Sequence, residues 1–136
     1  MIDKEIIRIA SNTENYGALD NYTHFSKLKN SICGDNMKIY LIVKNDKITN
    51  FKYECESCIY CQASVSLLSR KAKNKSIEKV KNFAQQANSH FDKNTTSFDK
   101  EWKEFDKIMT KNNISRKECL LLPINTMLDA LTKKTL

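Results

Sequence analysis

The chain has 136 residues, 40% of them hydrophobic and 29% charged, with a formal net charge of +7. That composition can bury one core of ordinary size and predicts a single domain over 1–136. The positive charge is nearly all Lys, interspersed with Asp and Glu, and the only arginines are Arg8, Arg70 and Arg116. Phosphate and base-edge readout leans on Arg, so the charge reads as a solvated surface and no nucleic-acid partner is expected. Two Gly and one Pro leave no phosphate-cradling loop. Charges interrupt every apolar run, so the expectation is a cytoplasmic protein with no membrane contact. Five cysteines, an odd number, read as reduced thiols.

In chain order, Ile2, Ile6, Ile9 and Ala10 share one face of a short helix. Residues 12–30 are polar and aperiodic, a long loop with a short edge strand near its end. Cys33-Gly34-Asp35 follows, and then Met37, Ile39, Leu41 and Val43 alternate with polar residues as a strand. Asn45-Asp46 marks a hairpin into a second strand over 48–54. Strands of similar length bring Cys33-Gly34-Asp35 back beside Cys55 and Cys58.

At Cys58 the period changes from two to that of a helix, with Cys61, Val65 and Leu68 on one face. Ser57 is the expected N-cap, which puts Cys58 in a first helical turn. Ser76 opens another helix carrying Ile77, Val80, Phe83, Ala84, Ala87 and Phe91, and a turn at His90 to Thr95 ends it. Thr96 and Asp99 have capping-box spacing, and Phe98, Trp102, Phe105 and Met109 predict a third helix. Asn112-Asn113 breaks it, and Cys119 leads into a last helix, with Pro123 expected near its first turn. The fold class is α+β, a small antiparallel sheet of about three strands packed on four to five helices.

Cys55-x2-Cys58-x2-Cys61 looks like a ferredoxin cluster run, but Val65 stands four residues after Cys61 and no Pro follows. A strand and a helix also cannot turn all three sulfurs to one metal. A better set takes one thiol from each element junction: Cys33, Cys58 and Cys119, with Asp35 beside them. Three thiolates and a carboxylate suit a tetrahedral Zn2+, or a cluster with one labile ligand.

Cys33-Gly34-Asp35, Cys58 followed by Gln62-Ala63-Ser64, and Arg116-x-x-Cys119 running into an apolar helix together resemble the iron-sulfur cluster assembly scaffold family: IscU, SufU and the N-terminal domain of NifU. The resemblance runs from Asn15-Tyr16-Gly17 to Leu131. It implies that Cys33, Asp35, Cys58 and Cys119 hold the metal or a transient [2Fe-2S] cluster, that Cys119 accepts sulfur from a cysteine desulfurase, and that the cluster passes to apo iron-sulfur acceptor proteins. A monomer or weak homodimer is expected.

Arg116 and the long stretch between Cys58 and Cys119 look more like SufU, which keeps open a second reading, a zinc-dependent sulfurtransferase. A structural zinc domain is a third. Glu56 and Ser57 replace the glycines usual before the second cysteine, and Glu118 stands where the family has His or Lys, a second candidate oxygen ligand beside Asp35. No Leu-Pro-Pro-Val-Lys stretch precedes Cys119, so the IscU-type Hsp70 chaperone is not expected to recognise it. Cys55 and Cys61 are extra, and Cys61 either packs, shares the site or holds a persulfide.

Overall fold

A computed structural model describes residues 3–92 and 97–133. The elements are α1 (Lys4–Ala10), β1 (His24–Asn30), β2 (Asp35–Lys44), β3 (Lys47–Glu56), α2 (Ile59–Lys71), α3 (Ile77–His90), two 3-10 segments (Lys100–Lys107 and Lys111–Arg116) and α4 (Lys117–Thr132). The strands form an antiparallel meander in the order β1-β2-β3. α4 packs on β1 and β2, α2 on β3, and α2 also meets α1 and α4, which is the expected α+β arrangement.

The β2–β3 turn follows from two residues. Asn45 (φ 51°) and Asp46 (φ 61°) are both left-handed, a conformation Asn and Asp tolerate and one whose twist matches paired strands. Alternation then buries Met37, Ile39 and Leu41 with Phe51 and Tyr53 on the helix-covered face. Met37 faces Cys55 and Asn36 faces Glu56. The Cys33 end of the hairpin therefore returns beside Cys58, as its strand lengths predict.

Residues 24–30 form a full strand where a loop with a short edge strand is expected. They pair with β2 from His24 opposite Leu41 to Asn30 opposite Asp35. Ser26 and Asn30 face inward while Lys27 and Lys29 face out, so the period-two signal is carried by polar residues and is masked. α2 begins one residue later than expected, with Cys58 itself as the N-cap.

Around Phe98 to Met109 the apolar spacing predicts an α-helix, and the same side chains are buried, but the backbone is 3-10. Side chains hold this tight stretch at both ends: Asp106 accepts the Phe98 N–H at 3.0 Å and Asn113 donates to the Ile108 carbonyl at 2.8 Å. Phe83 of α3 stacks on Trp102 at 4.1 Å and packs on Phe105 at 4.7 Å. Ser76 caps α3 as expected, accepting from the Lys79 N–H at 3.2 Å. Ile2, the part of the turn at 93–95 and the Thr96 half of the capping box lie outside the described residues.

Pro123 sits well inside α4, not near its first turn. Lacking an N–H, it leaves the Cys119 carbonyl without its helical partner. The weakened turn is held from the side, because Ser64 of α2 donates its hydroxyl to the Leu120 carbonyl at 2.6 Å.

Candidate functional site

Four chain segments meet at one end of the sheet. The β1–β2 loop carries Cys33 at an exposed tip, turned by Gly34 at φ 71°. A left-handed residue there favours glycine, since any other side chain crowds its own carbonyl. Asp35 begins β2 and is buried. Cys58 stands at the N-terminus of α2, half-buried, and Cys119 lies in the first turn of α4, 1% exposed.

Their contacts are specific. Cys33 Sγ lies 3.1 Å from Cys119 Sγ. Asp35 Oδ1 accepts the Cys58 N–H at 3.0 Å, and Asp35 Oδ2 is 3.6 Å from Cys58 Sγ. A carboxylate on an exposed helix N–H complements the partial positive charge there. Cys58, the N-cap itself, makes no side-chain capping bond, and its own N–H is satisfied from the sheet by Asp35.

One donor atom each from Cys33, Asp35 and Cys119 lies within 4.8 Å of the others. Cys58 joins the group through Asp35. Glu118, the other oxygen candidate, is exposed on α4 and outside this set. Mostly soft thiol donors with one hard carboxylate suit Zn2+ or iron.

Electrostatics separate the thiols. Burial, with hydrogen bonds to Cys33 and Cys58 and the charges of Cys58 and Asp35, pushes the Cys119 thiol far above its ordinary range. Its position near a helix N-terminus does not overcome those effects. A bound cation reverses the balance, because a coordinating thiol gives up its proton. Desolvation opposes the Arg116 charge, but Cys119, Cys58 and Cys33 hold its guanidinium further up. That guanidinium lies over the Tyr60 ring, 5.2 Å from its centre.

Cys61 is fully buried in the core, and burial pushes its thiol up well past any nucleophilic range. Burial raises Cys55 as well. Cys61 thus has the surroundings of a packing residue. His90 bonds the Met109 carbonyl at 2.7 Å at the end of α3, away from the thiols.

Two residues here escape sequence reasoning. Asn30 Nδ2 is 3.8 Å from Cys119 Sγ, and Ser64 braces the turn after Cys119. Asn30 sits in a polar stretch with no pattern of its own; the only available signal is its position three residues before Cys33.

The fold is α+β and carries a thiol–carboxylate group of the kind that can hold a metal ion, and comparison with known proteins gives the family. The family model for the NifU-like N terminal domain matches residues 1–96. An uncharacterized protein of Borreliella burgdorferi is 33% identical over 133 residues, spanning 94% of this chain and 87% of its own length. The iron-sulfur cluster assembly scaffold protein IscU of Thermotoga maritima is 27% identical over 135 residues, spanning 98% of this chain and 94% of its own.

Among solved structures, the N-terminal NifU-like protein of Brucella abortus aligns with a TM-score of 0.89 at 19% identity, over 96% of this chain and 91% of that one. A SufU from Fervidobacterium islandicum, described as a putative iron-sulfur cluster assembly scaffold, aligns with a TM-score of 0.83 at 23% identity, over 96% of each. These two likenesses show the fold. The chain belongs to the NifU-like N-terminal domain family, a family of iron-sulfur cluster assembly scaffolds. Among the described residues no helix is long and apolar enough to cross a membrane.

Proposed function

We propose that this chain receives sulfur from a cysteine desulfurase, binds iron, and builds a transient [2Fe-2S] cluster between Cys33, Asp35, Cys58 and Cys119 for transfer to apo-proteins. The observation that carries this reading is the convergence of three thiols and one carboxylate from four chain segments at one partly open end of the sheet. Sulfur arrives as a donor persulfide. The Cys119 sulfur, freed of its proton, attacks the outer sulfur, the donor's S–S bond breaks, and the donor leaves as a thiolate with no net redox change. Each transferred sulfur then takes up two electrons to become cluster sulfide, supplied in part by ferrous iron going to ferric and in part by an external one-electron redox protein.

The cluster is cargo, and the donor set fits a cargo. Asp35 is a harder and weaker partner for cluster iron than thiolate, which leaves one labile corner for release. Anaerobic reconstitution with iron and sulfide tests the proposal: the wild-type chain takes up both, and Cys58→Ser and Cys119→Ser lose them. Unchanged iron and sulfide content in those variants would falsify it.

One observation favours a second reading. The Cys33, Asp35 and Cys119 donors all lie within 4.8 Å of one another, a spacing that fits a single tetrahedral ion. In that reading the four residues hold zinc and Cys119 leaves it to accept sulfur. Stimulation of desulfurase turnover by the zinc-loaded chain is then expected, and its absence rules this reading out.

A further inference from the structure

The hairpin that carries Cys33 closes on a single rung, Asn30 opposite Asp35. Both are buried, at 8% and 3% exposure. Burying polar side chains is unfavourable unless their hydrogen bonds are made, so where those bonds go is informative. Asp35 reaches Cys58 on α2. Asn30 reaches the other helix-borne thiol, Cys119 on α4.

Asn30 is held three ways. Its main-chain carbonyl accepts the Gly34 N–H at 2.8 Å and its Oδ1 accepts the Ile32 N–H at 3.0 Å, an Asx turn that shapes the Cys33 loop from within. Because Oδ1 must face an N–H, the amide cannot be flipped without opposing two donors, and Nδ2 is left to donate to Cys119 Sγ at 3.8 Å. One amide therefore links the loop of Cys33 to the sulfur of Cys119.

The geometry points to Asn30 as a positioning residue that sets the Cys33 loop against Cys119 and withdraws charge from the Cys119 sulfur when that sulfur binds a metal. The inference rests on the reading of Cys119 as a ligand. Hydrogen bonds from the surroundings orient metal ligands and tune their basicity, and those made to ligand sulfurs shift the electronic levels of the centre. Without this N–H the sulfur is richer in electrons, and sulfur-to-metal charge transfer needs less energy.

The test loads the full chain with cobalt(II). Asn30→Ser keeps an oxygen to accept the Ile32 N–H but is too short to reach Cys119, whereas Asn30→Ala loses both contacts. In Asn30→Ser the sulfur-to-cobalt band moves to longer wavelength and cobalt affinity falls about 10-fold. Asn30→Ala shows the same red shift and also exposes Cys33 to faster alkylation.

If Asn30→Ser keeps the wild-type band and affinity, the inference is overturned, even where Asn30→Ala differs, because only the loop cap would then matter. A wild-type measurement covers variants that fail to fold. In protein loaded with cadmium-113, the Asn30 side-chain amide proton moves downfield and couples to the metal; lack of both effects also overturns the inference. A wild-type chain with no thiolate-to-cobalt band would refute the ligand reading itself, a result distinct from a normal band that Asn30→Ser leaves unmoved.

Discussion

Replacing Ser64 by Ala removes one buried hydroxyl whose bond of 2.6 Å to the Leu120 carbonyl ties α2 to the turn of α4 that follows Cys119. The loss of one neutral hydrogen bond is about 1 kcal/mol. With 136 residues and about 2.1 cal/mol/K per residue, the unfolding entropy is about 0.29 kcal/mol/K, so Tm falls by about 3–4 °C. Ser66→Ala provides the comparison. Its hydroxyl donates to the Asn12 carbonyl at the same 2.6 Å and it too is buried, with a long second contact of 3.4 Å from Arg70 Nη2, but it ties α2 to the chain after α1, not to α4.

The two variants should therefore lose similar stability by calorimetry and differ at the metal. In competition with a chromophoric chelator, Ser64→Ala binds zinc about 10-fold more weakly, about 1.4 kcal/mol, because the Cys119 turn is no longer braced where Pro123 has already removed a helical bond. Ser66→Ala binds like wild type. Equal zinc affinity in the two variants would refute the reasoning, since hydroxyl loss anywhere on α2 would then have the same consequence.

Cys61 offers a sharper contrast between packing and ligation. Cys61→Ala should lose about 1 kcal/mol in urea unfolding, Cys61→Ser about 1–3 kcal/mol because its hydroxyl is buried, and both should keep the wild-type metal stoichiometry. Metal loss in Cys61→Ala would make it a ligand instead. The pH dependence has two opposite signs. Burial raises Cys119 and Cys61 in the folded chain and pushes Tyr40 and Tyr53 up to about 12, so above the ordinary thiol value of about 8.5 the unfolded state binds fewer protons and stability of the metal-free chain falls as pH rises. Zinc affinity moves the other way, rising with pH as the thiol protons leave more easily. Thermal melts between about pH 8 and pH 10.5 check the first slope, and a flat profile would contradict it.

Much of the site could be read before any fold was known, because it follows from local stereochemistry. Asn45-Asp46 tolerate left-handed backbone, the apolar alternation on either side sets the register, and together they return Cys33-Gly34-Asp35 to Cys58. The change of period at Cys58 marks the start of a helix because side-chain direction repeats differently in strand and helix. The buried stripe from Phe98 to Met109 was likewise legible, although its backbone proved to be 3-10. Apolar spacing records which side chains go inward but not which backbone ladder carries them; here Asp106 and Asn113 bond the backbone at the two flanks of the segment.

Other features had no local cause. Cys119 meets Cys33 across 86 positions, a distance decided by how α4 packs on β1, β2 and α2. That Asp35 and not Glu118 lies beside the thiols is of the same kind: one carboxylate begins a buried strand and the other lies on the exposed side of a helix. The Cys58 amide at the start of α2 finds its acceptor on another element, the Asp35 carboxylate of β2. Asn30 shows both kinds at once: its turn bonds to the Ile32 and Gly34 N–H groups are local, but its bond to Cys119 exists only once α4 lies across the β1–β2 loop. Sequence alone determined the periods, the turn and the kinds of donor group on offer, since these depend on neighbouring residues. Only tertiary packing decided which donors share one small volume and how each is held, because those distances are set by elements far apart along the chain.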